Sequence, residues 1–136
     1  MDEQADVPAR EVVFRLSDLP EVREFAAGHA RAAGLPDEEV SDLLVAVNEV
    51  ATNAVTHGVA GKARLRVWSE PDAVVVEVHD DGRWELQGDP GNTPPPPDAT
   101  SGMGLWVARR LAQWIGFRTG REGSTVTMRF RGRRAR

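Results

Sequence analysis

The chain has 136 residues, which suits one domain with a sizeable core and is too short for two ordinary ones. Its 40% apolar and 28% charged residues are those of a soluble globular protein. Its net charge of -4 argues against nucleic acid as a direct partner, since that role calls for a basic face. Cysteine is absent, which excludes disulfides, thiolate metal sites and a cysteine nucleophile, and His29, His57 and His79 lack metal-ligand spacing. No run approaches the ~18 apolar residues of a membrane helix and the acidic N-terminus is unlike a signal peptide, so a cytoplasmic protein without a membrane partner is expected.

Residues 1–9 are polar and read as disordered, residues 10–131 as the domain, and residues 132–136 as a basic tail. Arg129, Arg131, Arg133, Arg134 and Arg136 make the chain's end arginine-rich, which reads as solvated, with an acidic docking partner as the alternative. Glu11–Leu16 has strand character, and Ser17, Asp18 and Pro20 then signal a helix start. Val22, Phe25, Ala26, His29 and Ala30 recur at helical spacing up to Gly34. Pro36 opens a second helix, with Asp37, Glu38 and Glu39 at its positive end, running to about His57–Gly58. Its broad apolar stripe, Leu43, Val47, Val50 and Ala54 included, predicts packing against a sheet.

Ala63–Ser69 and Ala73–His79 alternate across Glu70-Pro71-Asp72 and predict an antiparallel hairpin. Residues 83–101 carry Gly88, Pro90, Gly91 and the prolines 94–97 without periodicity, a long loop of the kind that is usually functional or disordered. A third helix is predicted from Gly104, with Leu105, Ala108, Leu111, Ala112 and Ile115 as packing residues. Gly116–Thr119 and Ser124–Arg131 then form a second hairpin turned at Gly120–Gly123. This order predicts an α+β fold, a two-layer α/β sandwich whose mixed, mostly antiparallel sheet has its helices on one face.

Three segments carry chemistry. Glu49 and Asn53 lie four apart, one turn from each other on a helical face, and His57 continues the row. A solvated face normally uses Lys, Glu and Arg, whereas Asn is a mediocre helix former. An Asn oxygen suits a hard cation, and a carboxylate beside it can serve as a base. His79-Asp80-Asp81-Gly82 ends a strand, placing the Asp80 carboxylate at the sheet rim, where it can accept a hydrogen bond from an exocyclic amino group. Ser101-Gly102-Met103-Gly104-Leu105 leads into a helix, whose free N–H groups and positive end favour phosphate. Gly123-Ser124-Thr125 opens the last strand, where the hydroxyls read as turn and strand residues.

The order NExxxNAxxHG, DxG, glycine-rich loop, GMGL resembles the GHKL (histidine-kinase-like) ATPases from about Glu11 to Phe130. Within them NEVATNAVTHG and GMGLWVARRLA look most like the anti-sigma factor serine kinases. The resemblance implies the Bergerat ATP-binding fold and ATP with Mg²⁺ as ligands. It implies Asn53 as Mg²⁺ ligand, Glu49 as catalytic base, and Asp80 on the adenine amino group with Gly82 allowing its approach. Gly102, Met103 and Gly104 would cradle phosphates, with Ser101, Leu105 and His57 in the same cofactor-binding set, and Thr125 near the adenine. The implied partners are a STAS-domain anti-sigma antagonist, phosphorylated on serine, and a sigma factor; a homodimer is implied as well.

Two departures stand out. The wider family's DxGxG has Trp84 at its second glycine, and the lid is short, proline-rich and without lysine. Arg83, Arg109 and Arg110 are the cations available to a γ-phosphate. The alternatives to a kinase are a module that binds nucleotide and protein without phosphotransfer, or a detached histidine-kinase-like ATPase domain. Glu49 favours catalysis, because a pure binder needs no base there.

Overall fold

Alternation in the first strand, β1 (Arg10–Arg15), turns Val12 and Phe14 to one side and Glu11 and Val13 to the other. The computed structural model describes residues 9–57, 61–82 and 103–132. A 3-10 turn at Leu16–Asp18 follows, in which the Arg15 N–H donates to Asp18 Oδ2 at 2.9 Å. Helix α1 (Leu19–Ala32) carries its proline in the first turn, as the sequence predicts. Helix α2 spans Asp37–His57, and strands β2 (Lys62–Glu70) and β3 (Ala73–Asp80) form the first hairpin. Helix α3 (Met103–Leu111), β4 (Trp114–Gly120) and β5 (Gly123–Arg131) complete the described elements.

The five strands are ordered β1-β2-β3-β5-β4, and every neighbouring pair is antiparallel. The expected mixed sheet is thus wholly antiparallel among the described residues. Phe14, Leu65, Val76, Met128 and Phe130 point into one apolar layer with Val22 of α1, Leu43, Val47 and Val50 of α2, and Ala108 of α3. Each large side chain in this layer contributes about 1.5–3 kcal/mol through loss of apolar surface from water. All three helices therefore lie on one face, and the other face of the sheet is left polar.

The third helix is shorter than expected. Its apolar spacing reaches Ile115, yet α3 stops at Leu111 and Ile115 is buried from β4 instead. The Gln113 N–H donates to the Arg129 carbonyl at 2.9 Å, so the ladder to β5 captures the backbone there. Ile115 and Phe117 alternate inward, and a period of two replaces the helical one. The expected disorder of the N-terminal residues, the loop and the basic tail falls outside the described residues, apart from Ala9 and Gly132.

Candidate functional site

The site begins on α2, where Glu49 and Asn53 are half-buried and one turn apart. Their neighbours are engaged elsewhere. Arg23 of α1 donates to Asn48 Oδ1 at 2.8 Å, and the Thr52 and Thr56 hydroxyls each donate to the carbonyl one turn back at 2.6 Å. Among the described residues, the Glu49 and Asn53 side chains make no hydrogen bond or ion pair. Half-buried polar groups with unused capacity are costly unless a ligand or water takes it up.

The start of α3 closes over this pair. A Cβ at Gly104 would stand 2.8 Å from Glu49 Oε1, 3.4 Å from Glu49 Cβ and 3.4 Å from Asn53 Nδ2. Glycine is what lets the helix start approach so closely. The first-turn N–H groups of α3 lack intrahelical partners and carry the positive end of the helix dipole. A carboxylate, an amide and a helix N-terminus thus converge, which suits an anion held with a hard cation.

Asp80 ends β3, is only 2% exposed, and accepts from the Gly82 N–H at 2.7 Å. Its cross-strand partner is Ser124, whose hydroxyl donates to the Gly82 carbonyl at 2.8 Å. Gly123 supports the same corner. Its φ is +115°, and a Cβ there would meet the Asp80 carbonyl oxygen at 2.1 Å. Asp80, Gly82 and Ser124 form one tight buried unit on the helix side of the sheet.

Thr125 does not join them. It alternates to the opposite face, where its hydroxyl lies 2.9 Å from His79 Nδ1. Thr125, expected near the adenine, thus lies on the face away from Asp80, and the hydroxyl on the Asp80 side is that of Ser124, one residue earlier. Register explains the shift: Asp80 pairs with Ser124 and His79 with Thr125, and a one-residue step exchanges faces. Leu105 is half-buried against the core, and His57 and Met103 terminate α2 and begin α3. Ser101, Gly102, Arg83 and Trp84 lie outside the described residues. The sequence alone did not place Ser124 beside Asp80 or Arg23 on Asn48; pairing the two hairpins in register would have found the first, whereas the second left no signal.

The sandwich thus sets α2 against β3 and the start of α3 against α2, the architecture of a histidine kinase-like ATPase domain. Residues 12–130 match the family model for the histidine kinase-like ATPase domain, and the chain belongs to that family. Among curated proteins none matches. The fold is similar to the crystal structure of the RsbU and RsbW domains of Rv1364c from Mycobacterium tuberculosis, with TM-score 0.68 and 20% identity. That match covers 92% of this chain and 32% of the other. It is also similar to the Erythrobacter litoralis EL346 blue-light activated histidine kinase, with TM-score 0.57 and 24% identity over 71% of this chain and 31% of that one. The histidine kinase domain of that protein gives TM-score 0.58 and 22% identity, covering 85% and 59%. The chain therefore spans about a third of the length of the first two. No described helix is long and apolar enough to cross a membrane.

Proposed function

We propose that this domain binds Mg²⁺–ATP between α2, the start of α3 and the β3 end, and acts as an anti-sigma regulatory serine/threonine kinase. Its protein substrate on this reading is a serine of a STAS-domain antagonist, and its sequestered partner a sigma factor. The observation that carries the reading is the approach of Gly104 to Glu49 and Asn53, two half-buried polar side chains with unused hydrogen-bonding capacity.

The residues fit the ligand. No cluster of three His, Asp or Glu side chains forms a metal cage among the described residues. A single amide oxygen from Asn53 suits Mg²⁺, which keeps water and phosphate oxygens as its main ligands. The bound ion would neutralise charge developing on the phosphates. Asp80, already holding the Gly82 N–H, offers acceptor capacity to an adenine amino group. Glu49 would take the proton of the serine hydroxyl as that oxygen bonds to phosphorus and the bond to the leaving ADP oxygen breaks.

The test is incubation with labelled ATP, Mg²⁺ and the STAS-domain proteins of the same genome. Phosphoserine on one of them, lost in Glu49→Gln while nucleotide binding persists, is the expected result. Tight nucleotide binding with no transfer to any of them would favour a non-catalytic, nucleotide-gated binding module. If neither ATP nor ADP raises the melting temperature, the nucleotide reading itself fails.

A further inference from the structure

The polar face of the sheet, on the side away from the helices, carries an uneven charge. One row across the strands reads Val13, Arg64, His79, Thr125, Arg118, and the next but one reads Trp68, Val75, Arg129, Trp114. Glu11, Glu70 and Glu77 on the strands of this face are committed, whereas Glu122, in the turn between β4 and β5, makes no ion pair or hydrogen bond among the described residues. Glu11 lies 3.8 Å from Arg64 and 3.7 Å from Arg66, Glu77 lies 3.7 Å from Arg66, and Glu70 pairs with Arg129. By contrast, the guanidinium groups of Arg118, Arg121 and Arg131 make no ion pair or hydrogen bond among the described residues.

Two hollows shape the surface beside these free cations. One of about 410 Å³ has Arg64, His79, Arg118 and Arg121 in its wall together with Glu77 and Glu122, and one of about 260 Å³ is walled by Trp114, Gly116 and Arg118, so that Arg118 stands between them. Trp114 is 55% exposed, and its ring lies against Gly116, where a Cβ would meet it at 2.4 Å. An indole open to solvent in the same hollow as the unpaired Arg118 has the composition of an interface centre.

We propose that this face docks an acidic protein segment, Arg118 and Arg121 receiving its carboxylates and Trp114 an apolar side chain. Charge selects the occupant. Helix α2 carries Asp37, Glu38, Glu39, Asp42 and Glu49 and no lysine or arginine, and the whole chain is net negative at -4. The unpaired arginines of the sheet face thus stand in a chain whose overall charge is negative. A second copy placed face to face would oppose like charges, and sheet face against α2 would be a head-to-tail contact that propagates rather than closes. Neither arrangement explains the pairing of free arginines with an open tryptophan as well as an acidic partner does.

The proposal is independent of the nucleotide site and is tested on the full chain with a fluorescein-labelled peptide of repeated Asp-Glu-Leu. Binding is expected to weaken at least about tenfold in the double variant Arg118→Glu, Arg121→Glu, to weaken in Trp114→Ala, and to fade with added salt. The Trp114 indole resonance is expected to shift on titration while that of Gly104 stays. Thermal unfolding of the variants, whose changed side chains are surface groups, checks that the fold is intact. Four results would each overturn the proposal: no binding at low salt, binding indifferent to the arginine reversal, equal competition by single-stranded DNA, or self-association abolished by Trp114→Ala.

Discussion

Gly104 stands against Glu49 so closely that a single methyl group at its Cα would lie 2.8 Å from the carboxylate oxygen Oε1. The contact joins two segments more than fifty residues apart in sequence, and what yields to a methyl there is the far end of a flexible side chain. Gly104→Ala should therefore leave the fold standing, since alanine also favours the helix by about 1 kcal/mol. Its cost should fall on the carboxylate's position. If Glu49 is the base, phosphotransfer should drop about a hundredfold or more with the melting temperature nearly unchanged. Equal turnover in the variant would remove Glu49 from the reaction.

Ser124 and Thr125 offer a second separation, because adjacent residues face opposite sides of β5. Ser124→Ala removes the hydroxyl that donates to the Gly82 carbonyl and should cost about 1 kcal/mol at the corner that presents Asp80. Nucleotide affinity should fall several-fold. Thr125→Val loses only the contact to His79, and its nucleotide affinity should stay within about twofold of the parent. Isothermal titration with ADP distinguishes the two, and a larger loss at Thr125 would place Thr125 rather than Ser124 at the nucleotide.

The sheet, the three helices and their order were legible because long stretches keep one period. The α2 stripe Leu43, Val47, Val50 and Ala54 cannot be read as a strand, and Val74, Val76 and Val78 alternate with Val75, Glu77 and His79. Two features were not legible, for a shared reason. Leu111, Ala112 and Ile115 satisfy a helical spacing, and only the ladder to Arg129 ends the helix early. Which of Ser124 and Thr125 faces Asp80 depends on cross-strand register, which one strand read alone does not contain. The polarity of the open sheet face was visible as scattered arginines, but its rows exist only after pairing.

Gly123 is a test of the corner's rigidity. With φ at +115° and the Asp80 carbonyl 2.1 Å from any added Cβ, alanine meets backbone rather than a movable side-chain end. Strain in such a region costs about 1–3 kcal/mol before the collision is counted. Gly123→Ala should lower the unfolding free energy by at least about 2 kcal/mol in urea titrations. It should also weaken nucleotide binding, because Asp80 would have to move. A variant as stable as the parent would mean that the β4–β5 turn can relax away from β3.

His29 gives the fold a dependence on pH. Its ring is buried between α1 and the sheet, with Nε2 3.0 Å from the Ser69 hydroxyl, and burial followed by the nearby Arg10 charge holds its pKa below the usual 6.5. The folded state therefore binds the proton less readily than the unfolded chain. The contribution of neutral His29 is fully present above about pH 6.5 and is lost as pH falls below that value toward the lowered folded pKa. Protonation would put a cation beside Arg10 with little water to shield it. The parent should thus lose stability between about pH 7.5 and pH 5.5, above the range where most carboxylates titrate. His29→Gln, which keeps a polar group facing Ser69 but does not titrate, should be less stable at the upper pH and show a flatter slope. Urea midpoints at the two pH values measure both slopes, and parallel slopes would assign the pH dependence to another group.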